Sequence, residues 1–189
     1  MGDFVRGAID PSYPETVRRG IRLHRRMDSF ADRHPLFQRS RARLQAPYRR
    51  FGGILIDIFY DHYLAVHWDR FSPLPLEVYS RQVYRSLARH HRIMPARMRQ
   101  YVGYMTQRDL LTSYRGIDGI RSALSGVSRR LSRPNPLAQA DQELERLRAE
   151  LEEDFLAFFP QLVTYVRGEV PANSALSLDH AHVTEDKAT

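Results

Sequence analysis

Phe51-Gly-Gly-Ile-Leu-Ile-Asp-Ile-Phe-Tyr-Asp-His-Tyr-Leu-Ala-Val-His-Trp68 is one of the most apolar stretches of the chain. Ile54, Leu55, Ile56, Ile58 and Phe59 fall on nearly every side of a helix, and no strict alternation marks a strand. The stretch therefore predicts a largely buried helix from about Arg50 to Trp68, ended by Ser72-Pro73-Leu74-Pro75. Asp57, Asp61 and His62 lie within it. An ionised carboxylate removed from water without a partner costs several kcal/mol or more, so acids placed in such a helix call for a cation, an arginine or a raised pKa.

Outward from this segment the periodicity stays helical. Pro14 to Met27 puts Val17, Ile21 and His24 or Asp28 on one side, and Asp32-Arg33-His34-Pro35 reads as a helix boundary. A second helix is expected from Pro35 to Ala46, stopped by Pro47. Leu76 to Arg92 and Met94 to Gln107 read as scaffold helices. Ile117, Ile120, Leu124, Val127 and Leu131 form an amphipathic one. Leu137 to Val166 continues the pattern, with Pro160 expected to kink or divide it. The predicted fold is an all-α single-domain helical bundle of about seven helices over residues 1–167. Residues 168–189 are expected to be a disordered tail, in which His180 and His182 are poor ligand candidates.

Composition narrows the chemistry. A chain of 189 residues can bury one proper core, and nothing argues for a second domain. The absence of cysteine excludes disulfides, thiolate metal sites and a cysteine nucleophile. No apolar run is long enough to span a membrane, and the first residues do not form a secretory signal, so the cytoplasm is the expected compartment. The net charge of +7 favours an acidic partner, be it a protein, a nucleic acid or a lipid surface. Arg-rich composition also tracks GC-rich genomes. Glycine-rich phosphate loops, G-x-S-x-G elbows and H-E-x-x-H motifs do not occur in the sequence.

His24 and Asp28 are four residues apart, which places them on one helix face, close enough to chelate an ion or to bond each other. Asp57 and Asp61 repeat that spacing. Two such pairs facing across neighbouring helices make a metal site of the kind bundle cores build, suited to Mn2+, Mg2+ or Fe2+ by its mix of imidazole and carboxylate. The bland alternatives are a surface ion pair for the first and salt bridges to arginine for the second.

Gly2-Asp-Phe-Val-Arg-Gly7, Gly20-Ile-Arg-Leu-His-Arg-Arg-Met-Asp28 and Asp57-Ile-Phe-Tyr-Asp-His62, followed by His67-Trp68, together resemble the acyl carrier protein phosphodiesterases. The resemblance runs from Gly2 to about Tyr165 and includes Tyr114-Arg-Gly-Ile-Asp118 and the Phe155 to Pro160 stretch. It implies a divergent HD-type phosphohydrolase fold that uses a divalent metal, Mn2+ first with Mg2+ or Fe2+ as alternatives. The implied reaction is release of 4′-phosphopantetheine from holo acyl carrier protein, within fatty acid biosynthesis and prosthetic-group turnover. Asp3, His24, Asp28, Asp57, Asp61 and His62 become the implied metal-centre residues. Among the catalytic candidates, His62 is also placed as general acid and base, Asp28 as a ligand or the residue that orients one, and Arg25 and Arg26 as contacts to the phosphate oxygens or the acidic carrier.

Two departures are visible. Family members begin with a further segment containing a histidine, and in this chain Met1 stands directly before Gly2; if that histidine is a ligand, weak metal binding or a scaffold without activity is expected. The adjacent pair is Asp61-His62, not the His-Asp order of the ordinary HD signature. Rival readings are an HD-like hydrolase acting on a nucleotide or other phosphoester, and a non-catalytic basic helical protein that binds nucleic acid. On the favoured reading neither nucleic acid nor membrane is a partner.

Overall fold

The computed structural model describes residues 2–170, apart from the side chain of Asp3. Nine α-helices and five short 3-10 turns occur among the described residues, and no strand. The helices are α1 (Glu15–Arg33), α2 (Pro35–Arg43), α3 (Gly52–Val66), α4 (Leu76–Arg89), α5 (Ala96–Gln107), α6 (Leu110–Ser113), α7 (Ile117–Arg130), α8 (Asp141–Arg146) and α9 (Arg148–Glu169). The all-α class is as the periodicity predicts, with two helices more than expected. One is α6, too short for its period to register. The other comes from the long C-terminal pattern, which divides at Leu147 (φ −106°, ψ 17°) and not at Pro160. Pro160 lies inside α9 on an exposed position, where water can satisfy the carbonyl its missing N–H leaves unpaired. The helix also runs through Gly168 to Glu169; residues 171–189, with His180 and His182, lie outside the described ones.

The boundary at His34 follows from its neighbour. Pro35 disfavours helical backbone at His34, which turns extended (φ −73°, ψ 130°), and the His34 Nδ1 accepts the Leu36 N–H at 3.3 Å to start α2. The central segment α3 buries Leu55, Ile56, Ile58, Phe59, Tyr60 and Tyr63 against α2, α7 and α9, where Phe37, Leu124, Leu151 and Phe155 complete the main core. Burying a leucine- or phenylalanine-sized side chain contributes roughly 1.5–3 kcal/mol, so this interior dominates the stability. A smaller, separate core holds α4 and α5 together through Met94, Met98 and Val102, with Leu87 and Phe4 against it. No described helix is long and apolar enough to cross a membrane.

The short α6 links the two cores, and a glycine permits the link. A Cβ added at Gly119 would stand 1.9 Å from the Ser113 carbonyl oxygen, a backbone atom that cannot swing aside. Gly119→Ala is therefore expected to destabilise the domain by about 1–3 kcal/mol despite alanine's better helix propensity. Thermal melts of the two proteins check this; an unchanged or raised melting temperature would contradict it.

Candidate functional site

Helices α1 and α3 each pack on α2 and α9, and a cavity of about 330 Å3 remains between them. From α1 it is lined by His24 and Asp28, from α3 by Asp57 and Asp61. The two i,i+4 pairs thus share one space, over a floor of Tyr60, Phe155 and Phe158. His24 Nδ1 donates to Asp28 Oδ2 at 3.0 Å. That bond sets the tautomer, leaving Nε2 as the electron-pair donor of the neutral ring.

The N-terminal 3-10 turn (Gly2–Phe4) is seated on this wall. A Cβ at Gly2 would lie 2.5 Å from Cγ and Nδ1 of His24, so only glycine lets the backbone approach the imidazole this closely. The Phe4 ring stands 5.6 Å from Tyr101, and Arg25 Nη2 donates to the Val5 carbonyl at 2.7 Å, fastening the segment to α1. The Asp3 side chain, a candidate ligand, lies outside the described residues.

The aspartates are not sealed in the core, as the apolar run suggests. Both are exposed on the one side of α3 that neighbouring helices leave uncovered, together with Ile54. Asp61 is open in area yet enclosed in depth: it lines the cavity between α1 and α3 and a second one on its other side. Loss of bulk solvation there, aided by the Asp57 charge one turn away, pushes its pKa up to about 7. The nearby Tyr114 hydroxyl is pushed well above its usual range, by burial first and by the Asp61 charge second, and stays protonated.

A raised carboxylate pKa weakens the fold at high pH. Between the unfolded value near 3.8 and the folded value near 7 the native state holds the extra proton. Stability therefore falls as pH rises through that window and levels off above it. Because the group is partly solvated the effect is discounted to about 1 kcal/mol. In chelator, Asp61→Asn is expected to match the wild type near pH 4 and to melt higher at pH 8; equal melts at pH 8 would refute a destabilising charge at Asp61.

His62 is not part of the cluster. It is buried, its Nδ1 donates to the Tyr114 carbonyl at 2.8 Å, and its titratable neighbours are Arg148, Glu152 and His67. Burial lowers its pKa, which keeps the ring neutral as a strut between α3 and the turn before α7. One residue of helical rotation, about 100°, separates it from the direction of Asp61. Arg26 pairs with Glu169, and Arg25 holds Val5, so neither arginine faces the aspartates. In sequence α5 reads as scaffold, yet its Tyr101 and Tyr104 line the second cavity with Tyr114. Aromatic residues at helical spacing give no signal that separates a cavity wall from a core.

Among the described residues no three histidine, aspartate or glutamate side chains stand close enough to close around one ion. The donor set facing the cavity, one imidazole and three carboxylates, nonetheless has the chemistry of a site for a hard or borderline divalent cation. A cation there would relieve the repulsion between Asp57 and Asp61.

An all-α domain that turns carboxylates and an oriented imidazole toward a cavity has the parts of a hydrolase acting on an anionic ester. The family described as acyl carrier protein phosphodiesterase matches residues 1–162. The chain belongs to that family. Proteins bearing that name from Photorhabdus laumondii (30% identical, covering 86% of this chain and 83% of the relative) and Serratia proteamaculans (32%, covering 86% and 85%) are similar to it. A further one from Yersinia pestis is 32% identical over the same shares, 86% and 85%. No solved structure matches the chain.

Proposed function

We propose that this protein is a hydrolase that releases 4′-phosphopantetheine from holo acyl carrier protein, acting in the cytoplasm with a divalent cation, Mn2+ before Mg2+ or Fe2+. The observation that carries the reading is the single cavity lined by His24, Asp28, Asp57 and Asp61 in a chain of the acyl carrier protein phosphodiesterase family. His24, Asp57 and Asp61 would hold the ion, with Asp3 a further candidate. When bound, such an ion lowers the pKa of water and polarises a phosphoryl oxygen.

The chain's own residues supply the rest. Asp28 keeps His24 in one tautomer, so that Nε2 is left as the electron-pair donor. The water oxygen joins phosphorus, the bond from phosphorus to the carrier's oxygen breaks, and a proton passes to that oxygen. The excess of arginine gives a charge of +7, which favours encounter with an acidic carrier protein.

The test is stripping and reloading. After chelation and removal of the chelator, the release of 4′-phosphopantetheine, followed by the mass change of the carrier, is expected to be lost and then restored by Mn2+. Full activity of protein verified free of metal would refute the metal's part, and an intact holo carrier after reloading would refute the substrate.

A further inference from the structure

The cavity on the far side of Asp61 has a volume of about 380 Å3, within the range of small-molecule sites. It exists because α5 stands on its own small core of Met94, Met98 and Val102, leaving a gap toward α3 and α7. Tyr101, Tyr104 and Tyr114 supply ring faces and hydroxyls, while Leu110 and Val127 supply apolar wall. The exposed Arg129 and Arg130 belong to its lining, the Arg130 guanidinium 5.4 Å from the Tyr101 ring centroid. Asp61 lines both this cavity and the one holding His24, Asp28 and Asp57, so the two spaces meet at one carboxylate. Gly126, in the interior of α7, lines the same space, and a Cβ added there would meet nothing within 4 Å. Helices disfavour glycine at such positions; in this wall it leaves the surface flat.

We propose that this tyrosine-lined cavity is the subsite for the phosphopantetheine arm, which extends into it from a phosphate held at the Asp61 junction. The inference rests on the hydrolase reading above. The arm is a flexible chain of two amides, a hydroxyl, a geminal dimethyl group and a terminal thiol. Tyrosine hydroxyls match its amides, the leucine and valine wall matches its methyl groups, and a space longer than a phosphate is needed beside the acids.

Gly126→Leu tests this by filling the open space with a side chain that suits a helix better than glycine does, so the variant should fold, as a thermal melt verifies. Gly103→Leu makes the same change at an exposed position of α5 where a Cβ also meets nothing within 4 Å, and serves as control. Expected for Gly126→Leu are a rise of about tenfold or more in KM for holo carrier with a smaller change in kcat, and a matching loss of affinity for free 4′-phosphopantetheine by calorimetry. Gly103→Leu should leave both unchanged. Wild-type KM and wild-type affinity in folded Gly126→Leu would overturn the subsite while leaving the hydrolase reading intact. Failure of the wild type to release anything from holo carrier would instead remove that reading. The calorimetry then still decides the cavity: affinity lost on Gly126→Leu supports the subsite, and no binding to the wild type overturns it.

Discussion

Asp57→Asn is expected to lower release of 4′-phosphopantetheine from holo acyl carrier protein by about 10²–10³-fold, the range for removing one strong electrostatic contributor to a reacting centre. Asparagine keeps the size of the side chain and removes one of the charges that, on the proposed reading, would hold a cation in this part of the cavity with Asp61. The loss should fall on catalysis and not on folding. Asp57 is exposed on the open side of α3, away from the face that buries Leu55, Ile56 and Phe59, so its melt should stay within about 1 kcal/mol of wild type. Release assays under saturating Mn2+ with a melt of the same preparation check both halves. Undiminished hydrolysis in a folded Asp57→Asn protein would remove the α1 and α3 cavity from the reaction.

The largest loss of stability is expected at a different aspartate. Asp154 of α9 is fully buried and accepts from Ser40 Oγ at 2.8 Å, from Arg43 Nε at 3.1 Å and from Arg39. Ser40 Oγ in turn lies 2.8 Å from the Tyr60 hydroxyl, so one carboxylate ties α9 to α2 and, through Tyr60, to α3. Asp154→Ala leaves two guanidinium groups and a buried hydroxyl without their acceptor, a change that costs about 3–5 kcal/mol. That is a large fraction of the roughly 5–15 kcal/mol by which domains are stable. Chemical denaturation at neutral pH measures it, and a variant within about 1 kcal/mol of wild type would show that the network contributes little. Tyr60 also lines the cavity of the acid cluster, so partial loss of activity should accompany the loss of stability.

The helices were legible wherever an amphipathic or apolar period ran for three turns or more. Ile117, Ile120 and Leu124 mark α7 within a residue of its bounds, and Pro35 sets the start of α2 through its own backbone. The break at Leu147 was not legible, since leucine carries no turn signal and only packing of α8 and α9 around Leu144 and Leu151 forces it there. The pairing of His24 with Asp28 and of Asp57 with Asp61 could be read from spacing alone, because helical geometry puts residues four apart on one face. His62 could not be separated from Asp61 in this way. Adjacent residues in a polar trio look alike in sequence, and only the Tyr114 carbonyl shows that the imidazole turns away from the cluster.

By itself, then, the sequence determined an all-α chain, the family to which it belongs and the two carboxylate-bearing pairs that the cavity gathers, since each of these follows from local periodicity or ordered motifs. Tertiary structure alone decided that Asp57 and Asp61 look into open space and not into a sealed core. It also decided that Asp61 stands where two cavities meet, and that Tyr101, Tyr104 and Gly126 border one of them. The physical reason is that a cavity is set by where helices fail to touch. The gaps between α1 and α3, and between α5 and α7, depend on how two separate cores are packed, which no local pattern records.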